Sequence, residues 1–402
     1  MVESGVGDGV GDEDGDWVGD GIGFEAALAE LIPGCEVVAD PAAAHAQGAL
    51  AAAEAGDSGA GLDDFLAAYM LDREHPLYAA DCALALKSHG RGAEARQFAA
   101  GIGAQPPAGL SGFELHRIGL ALNDVLGDTP RALVYLAAAC EQDGGCVELP
   151  LSYGIALAEC GYEEQAAVVA EGVVEQLDGA GALTPEQAYA LARAAHLLCA
   201  CDPLRSAAVA RRALEAAPEH AGVLREAGVI ALKRSDDQEA LAHFRRATEV
   251  APDDERVWGG FQYALFGLGL LEDACRVGRA ILERWPGFQE VRFNTAAAGL
   301  NLGWTDEAEQ VFLEYLAQDP DDAFAQVALG LCNALQGRAD DARERQRRAL
   351  ELDGDNPEIR RISDEIDRIL GAGGGPSREE LGGLLLLLIA GVMGRTKKEP
   401  GS

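Results

Sequence analysis

Residues 221–254 read AGVLREAGVIALKRSDDQEALAHFRRATEVAPDD, two runs rich in alanine, leucine and charged residues on either side of a short polar break. Apolar residues in both runs recur three or four positions apart, which is the spacing of one face of an α-helix. The break contains serine and aspartate, which favour turns and helix N-termini. This stretch therefore predicts two helices joined by a tight turn.

The same pattern recurs every 34 residues toward the C-terminus. A proline follows each second run, where its fixed φ and missing N–H end the helix. An alanine within the second run lets two helices approach closely, and a glycine at the turn reaches a positive φ easily. The periodic positions are Pro218, Pro252, Pro286 and Pro320; Ala240, Ala274, Ala308 and Ala342; and Gly269, Gly303 and Gly337.

The period and these residue types resemble the tetratricopeptide repeat family, whose unit is a helix–turn–helix of 34 residues. The match is clearest over 221–356, in the units 221–254, 255–288, 289–322 and 323–356. Some positions depart from the pattern: Gly278 and Gln346 replace an aromatic residue, Gln262 replaces a small one, and Gly354 replaces the last proline. In the first unit the matching residues are Leu224, Gly228, Ala240, Phe244, Ala247 and Pro252.

Upstream the resemblance weakens. Residues 112–220 match moderately, with a one-residue slip around 112–145, and residues 24–111 match as degenerate helical repeats. The resemblance implies an all-α fold, a right-handed α-solenoid of roughly eight helix-turn-helix units. A helix predicted over 357–370 places four isoleucines on one face and is expected to cap the solenoid.

The two ends of the chain differ in composition from the repeats. Residues 1–23 are almost entirely glycine, aspartate, glutamate and valine, and are predicted to be a disordered acidic tail. A calcium loop starting at Asp14 fails because Val18 stands where a ligand is needed. Residues 371–380 read as a flexible linker, 381–394 as an apolar segment, and 395–402 as a basic tail.

The apolar segment 381–394 allows three interpretations. It docks into its own solenoid or a partner, it enters a membrane as a C-terminal anchor, or it is a loose tail. Fourteen residues span about 21 Å as a helix, short of the roughly 30 Å hydrocarbon core. The basic cluster after it normally stays in the cytoplasm, which argues against a spanning anchor but not against peripheral association with the membrane surface.

Charge and motif content exclude several classes of function. The net charge is −35, and a field of that sign repels nucleic acid. The sequence has no Walker loop, no nucleophile elbow and no zinc-protease motif, so we predict a non-enzymatic protein without a cofactor or metal. Nine scattered cysteines and the lack of an N-terminal apolar stretch indicate a cytoplasmic protein.

The first helix of each unit lines the concave side of such superhelices, and here it predicts an apolar, aromatic groove. We expect the groove to bind an apolar helix or extended peptide of a partner protein, as a scaffold or adaptor does. Family members that grip a C-terminal carboxylate carry Lys, Asn and Arg at these positions, and only Arg225 and Asn294 match. Alternatives are a membrane-associated assembly or secretion factor and a chaperone for exported apolar proteins. The predicted groove residues are Arg225, Val229, Tyr263, Phe266, Phe293, Asn294, Phe324 and Leu331.

Overall fold

The computed structural model describes residues 41–54, 58–143, 145–179, 181–318 and 320–372. Every regular element in these ranges is helical, which confirms the all-α prediction. The predicted acidic tail 1–23, the segments 381–394 and 395–402, and most of the linker 371–380 lie outside the described residues.

The chain divides into two compact units, Met1–Glu74 and His75–Ser402. The division falls inside the region 24–111 that the sequence groups together. In the first unit the structure describes two helices that pack on each other, α1 (Pro41–Glu54) and α2 (Ser58–Leu71). Ala49, Leu62 and Phe65 are buried there.

The second unit is an α-solenoid in which consecutive helices pack as pairs. Its described part contains seventeen α-helices and one π-helical turn. These elements are α3 (Pro76–Ser88), α4 (Gly92–Ala100), α5 (Gly112–Leu120), π1 (Ala121–Leu126), α6 (Thr129–Gln142), α7 (Glu148–Glu159), α8 (Glu163–Asp178), α9 (Pro185–Leu198), α10 (Pro203–Ala216), α11 (Ala221–Lys233), α12 (Asp237–Val250), α13 (Glu255–Gly267), α14 (Leu271–Arg284), α15 (Gln289–Asn301), α16 (Thr305–Gln318), α17 (Ala323–Leu335), α18 (Ala339–Asp353) and α19 (Pro357–Ala372).

The turn within each unit has the backbone conformation that its glycine predicts. Gly269, Gly303 and Gly337 have φ of 71°, 83° and 75°. At the same position of the first unit stands Ser235, with φ 59°, the one non-glycine residue with positive φ in the described chain. The repeat therefore has the same turn geometry at Ser235, although a serine side chain disfavours a positive φ.

In the α11–α12 and α13–α14 pairs, a large side chain of one helix packs against a small residue of the other. In the α11–α12 pair the Phe244 ring is fully buried and occupies the space beside Gly228, where a Cβ would lie 2.7 Å from the ring. The same ring also packs against Gly260 of the next unit, where a Cβ would lie 2.2 Å from the ring. The small residues are thus required by contact with the aromatic ring.

The α13–α14 pair reverses this size relation. Gly278 stands where Phe244 stands in the preceding unit, and Gln262 stands where Gly228 stands. The buried Gln262 amide fills the space, and its Nε2 donates to the carbonyl oxygen of Ala274 at 3.2 Å and to Thr295 Oγ1 at 2.8 Å. The two departures from the family pattern therefore compensate each other.

The one-residue slip near 112–145 has a structural counterpart. The α5 helix continues into the π-helical turn π1, whose wider hydrogen-bond pattern accommodates one additional residue. Gly127 follows with φ 74° and ends the element. The sequence pattern of this unit resumes in α6, after the turn.

The predicted capping helix is confirmed as α19, which extends two residues beyond the predicted end. Ile359, Ile362 and Ile366 are fully buried, and Ile369 is nearly so. The helix packs against α17 and α18. Its charged residues lie on the opposite face, so the last unit does not present its apolar side to water.

Three tryptophans lie around the α13–α16 units. Trp258 Nε1 donates to the carbonyl oxygen of Pro252 at 2.9 Å. Arg284 lies over the Trp285 ring at 4.7 Å, and Arg279 lies over the Trp304 ring at 4.3 Å. The contacts of Trp258 and Trp304 join residues of neighbouring units, whereas Arg284 and Trp285 are adjacent in the chain.

Candidate functional site

The structure places the predicted groove residues in two different environments. Five of them are buried, with at most 6% of the side chain exposed: Phe266, Phe293, Asn294, Phe324 and Leu331. This corrects the expectation that they line an open surface. Only Arg225, Val229 and Tyr263 are partly exposed.

The reason is clearest for Phe293. Its ring packs at 5.0 Å from the ring of Phe312 and at 5.4 Å from that of Tyr315, both on α16. Its side chain therefore belongs to the core between α15 and α16. A large side chain in a first helix can turn toward its paired helix, and sequence periodicity does not separate this case from a groove position.

An open cleft of about 560 Å³ lies on the first helices of four successive units. The helices are α7, α9, α11 and α13, and the cleft begins well before the residues that the sequence analysis favoured. Apolar side chains line part of the cleft, and nine of its fourteen lining residues are glutamate, arginine, lysine or histidine. Its lining residues are Glu148, Ile155, Ala158, Glu159, Glu163, Tyr189, Arg193, His196, Leu197, Ala200, Arg225, Glu226, Lys233 and Arg256.

A hydrogen-bonded network forms the floor of this cleft. Arg225 Nη2 donates to the Tyr189 hydroxyl at 3.0 Å and to Glu226 Oε1 at 2.8 Å, and His196 Nδ1 lies 2.7 Å from Glu226 Oε2. Burial acts to raise the pKa of Glu226, but the hydrogen bonds and charges of His196 and Arg225 outweigh it and hold the pKa at about 2. Glu226 therefore remains an ionised carboxylate that fixes Arg225 and His196 in place.

The rim of the cleft carries further cations. Arg193 pairs with Glu148 across adjacent first helices, and Arg256 pairs with Asp254, the residue that precedes α13. Tyr189 stacks on His220 with ring centroids 5.4 Å apart. The lining carries four basic residues, Arg193, Arg225, Lys233 and Arg256, and four glutamates, so the cleft is close to neutral in a chain of net charge −35.

We expect Glu226→Gln to lower the free energy of unfolding by roughly 2 kcal/mol at pH 7, because it removes the buried carboxylate that Arg225 and His196 contact. The folded pKa is below the ordinary 4.5, so the ionised form stabilises the fold above pH 4.5 and this contribution disappears toward pH 2. The difference between the two chains should therefore shrink as the pH falls through that range. Urea unfolding at several pH values measures it.

The matched control is Glu171→Gln. Glu171 pairs with Arg205 at 3.0 Å, but both side chains are more than a third exposed. We expect that change to cost less than about 1 kcal/mol. A Glu226→Gln deficit that is the same at every pH would contradict the assignment of the stabilising charge to Glu226.

The described residues offer no catalytic arrangement that is open to a substrate. His116 Nε2 lies 2.9 Å from Ser152 Oγ, but both side chains are buried in helix packing, so the pair serves as a core hydrogen bond. No group of three or more His, Cys, Asp or Glu side chains that could hold a metal occurs in the part of the chain that the structure describes. Among the same residues, no helix combines the length and apolar character that crossing a bilayer requires.

The comparison with known protein families concerns the repeat region. The sequence profile of the tetratricopeptide repeat matches residues 191–255, 263–323 and 300–357. No curated protein matches the chain in sequence. The profile thus covers the four best-matched units apart from residues 256–262, and it also covers residues 191–220 before them.

Solved structures extend the comparison to the fold. A monomeric mutant of IFIT1 with Gppp-AAAA is 15% identical over 88% of this chain and 89% of its own, with a TM-score of 0.54. A tetratricopeptide repeat protein from Parabacteroides merdae is 18% identical over 65% of this chain and 98% of its own, with a TM-score of 0.44. YrrB, a TPR protein with an unusual peptide-binding site, is 22% identical over 50% of this chain and 99% of its own, with a TM-score of 0.39.

Proposed function

Because residues 191–357 of this chain are tetratricopeptide repeats, we propose that it is a non-enzymatic scaffold that holds a segment of a partner protein in its concave cleft. Repeat proteins of this family generally mediate protein–protein interactions. The single observation that supports the finer proposal is the open cleft on α7, α9, α11 and α13.

The lining of the cleft selects the chemistry of the partner segment. Ile155, Leu197 and the Tyr189 ring supply the apolar part of the lining, against which one aliphatic or aromatic side chain can pack. Arg193 and Arg225 lie beside it and suit a carboxylate or a backbone carbonyl of the segment. We therefore propose a helical or extended segment that combines an apolar anchor with acidic or carbonyl groups.

The proposed contact surface differs from the groove that the sequence predicts. Arg225 remains in it, whereas the aromatic residues Phe266 and Phe293 are buried in the helical core. A partner that contacts α9 and α11 meets a surface of mixed charge. The apolar character of the partner is thus proposed for one anchor position only.

We expect Ala200→Trp to weaken partner binding at least about tenfold, because Ala200 is exposed, lines the cleft and would fill it with an indole ring. Tagged full-length chains are crosslinked in their own cells, and the proteins enriched with each variant are quantified by mass spectrometry. The enriched partner is then purified, and its Kd is measured for each variant.

The matched control is Ala208→Trp, the same substitution at an exposed position of α10 that does not line the cleft. We expect this variant to bind as the unaltered chain does. Equal loss in both variants would indicate damage to the fold, and equal retention would show that the partner binds elsewhere.

A further inference from the structure

The charged residues of the cleft are separated by sign along the row of first helices. The side formed by α7 and the first residue of α8 contributes three glutamates and no basic residue. The side formed by α11 and α13 contributes three basic residues and one glutamate. These two sets are Glu148, Glu159 and Glu163, and Arg225, Lys233, Arg256 and Glu226. The lining is therefore close to neutral as a whole, but it is acidic at one end and basic at the other.

Part of this charge is already paired within the protein. Glu148 pairs with Arg193 of α9. Glu226 accepts a hydrogen bond from Arg225 and lies 2.7 Å from His196 Nδ1. Because these carboxylates have cations of the same chain beside them, they offer little to the charge of a ligand.

Glu159, the last residue of α7, is in a different situation. It lines the cleft and is partly buried, and no lysine, arginine or histidine of the described chain forms an ion pair with it. Burial raises the pKa of its carboxyl group, a hydrogen bond from Asn123 opposes the rise, and the nearby charge of Asp124 adds to it. A partly desolvated carboxylate beside a second acid favours the approach of a positive charge. A lysine or arginine side chain of a ligand therefore gains more at Glu159 than at a fully exposed glutamate.

The π-helical turn π1 fixes the orientation of the Glu159 carboxylate. Asn123 Nδ2, on this turn, donates to Glu159 Oε2 at 2.8 Å and to Asp124 Oδ1 at 3.1 Å. Lys87 Nζ donates to the carbonyl oxygen of Asp124 at 2.6 Å and joins the turn to α3. The other oxygen, Glu159 Oε1, accepts no hydrogen bond from the described chain and is not fully buried. That oxygen is available to a cation in the cleft.

The basic end also has groups available to a ligand. Arg225 uses only Nη2 for its hydrogen bonds to Tyr189 and Glu226, so its Nε and Nη1 donors remain. The Arg256 side chain is 69% exposed, and its Nε lies 3.4 Å from Asp254. An exposed pair of this kind is weak, so a carboxylate of a ligand can replace Asp254 at little cost.

Apolar side chains lie between the two ends. Ile155 is on α7, and Tyr189 and Leu197 are on α9, so the lining changes from acidic through apolar to basic along the row of helices. Neighbouring packed helices lie roughly 8–10 Å apart, so the row from α7 to α13 spans about 24–30 Å. At roughly 3.3 Å per residue, an extended chain covers this distance with about eight residues.

On the premise that the cleft proposed above is the binding site, we infer that its ligand is an extended segment of another protein with opposite charges at its two ends. A lysine or arginine contacts Glu159, an apolar residue packs against Ile155 and Leu197, and an aspartate or glutamate contacts Arg225 or Arg256. The segment crosses the four first helices in one direction only. The order of its charges, rather than its net charge, determines whether it binds.

The test begins with a phage-displayed library of random twelve-residue peptides that is selected on the full-length chain. Peptides that also bind the Ala200→Trp chain are discarded, because that substitution fills the cleft. We expect the remaining peptides to share a basic and an acidic residue about seven positions apart, with an apolar residue between them. We expect the two charges to occur in a single order along the peptide.

A synthetic peptide of the selected sequence then tests the contact with Glu159, and fluorescence anisotropy measures its Kd. Glu159→Lys should raise the Kd about tenfold, since the reversal replaces an attraction by a repulsion of similar size. A second peptide, in which the basic residue is exchanged for glutamate, should recover most of the affinity for the Glu159→Lys chain, because opposite charges meet again. Glu175→Lys, at an exposed position of α8 outside the cleft, makes the same change of charge and should leave the Kd unchanged.

A milder variant keeps the test valid if the charge reversal disturbs the fold. Glu159→Gln retains an oxygen that can accept the hydrogen bond from Asn123 but removes the charge. It should raise the Kd of the original peptide about threefold, as expected for the loss of one partly exposed ion pair. An unchanged Kd would show that Glu159 does not contact the peptide.

The possible outcomes separate this inference from the proposal on which it rests. Peptides that the Ala200→Trp chain rejects, but whose charges follow no fixed order, overturn the inference and leave the cleft as the binding site. The same conclusion follows if the exchanged peptide binds the Glu159→Lys chain no better than the original peptide does. A selection that yields no peptide sensitive to Ala200→Trp overturns both the inference and the proposed cleft.

Discussion

Phe293→Ala lowers the free energy of unfolding by about 3–5 kcal/mol, the range found when a buried phenylalanine ring is removed. The ring is 0% exposed and packs against Phe312 and Tyr315, so the substitution leaves a cavity between α15 and α16. Urea unfolding followed by circular dichroism measures the change.

Phe113→Ala is the control for this prediction. Phe113 is 53% exposed at the start of α5, and the same truncation there should change the free energy of unfolding by no more than about 0.5 kcal/mol. A loss below about 1 kcal/mol at Phe293 would mean that the ring is available on the concave surface, as the sequence pattern suggested.

Gly278→Leu lowers the free energy of unfolding by about 3 kcal/mol or more, although leucine is the better helix former. A Cβ at this position would lie 2.0 Å from Thr295 Oγ1 and 2.2 Å from Gln262 Nε2, and both groups are held by hydrogen bonds. The space that an aromatic residue fills in the preceding unit is already occupied. The same urea experiment measures the loss.

The control is Gly172→Leu, in the second helix of another unit, where a Cβ would meet nothing within 4 Å. There the removal of a helical glycine should raise the free energy of unfolding by up to about 1 kcal/mol. Adding Gln262→Ala to Gly278→Leu should cost at least about 1 kcal/mol less than the sum of the single changes. Additive losses would show that Gln262 and Gly278 do not share one space.

The repeat architecture could be predicted from the sequence because each periodic residue has one local role. Gly269, Gly303 and Gly337 have the positive φ of the turn, and the isoleucines of α19 form its buried face. The compensation between Gln262 and Gly278 was visible as two departures. Their contact depends on how α13 and α14 pack against each other, which the repeat pattern alone does not give.

The candidate site was less predictable for two physical reasons. Concave positions share one register, but the register does not tell which of them meet water: Val229 is partly exposed, whereas Leu331 is buried. The open cleft also lies partly within 112–220, where the family match is only moderate, whereas the predicted groove residues all lie after residue 220. One signal was present: Arg193, Arg225, Lys233 and Arg256 recur on first helices of an acidic chain.

The tryptophans near α13–α16 allow the unfolding of this region to be followed by intrinsic fluorescence. Three of its four tryptophans, Trp258, Trp285 and Trp304, lie within this short stretch, and Trp258 and Trp304 each contact a residue of the preceding unit. Intrinsic fluorescence therefore follows the melting of the central units, whereas circular dichroism averages over all helices. Since repeat arrays unfold by nearest-neighbour steps, two transition curves that fail to superimpose would directly expose a partly unfolded intermediate.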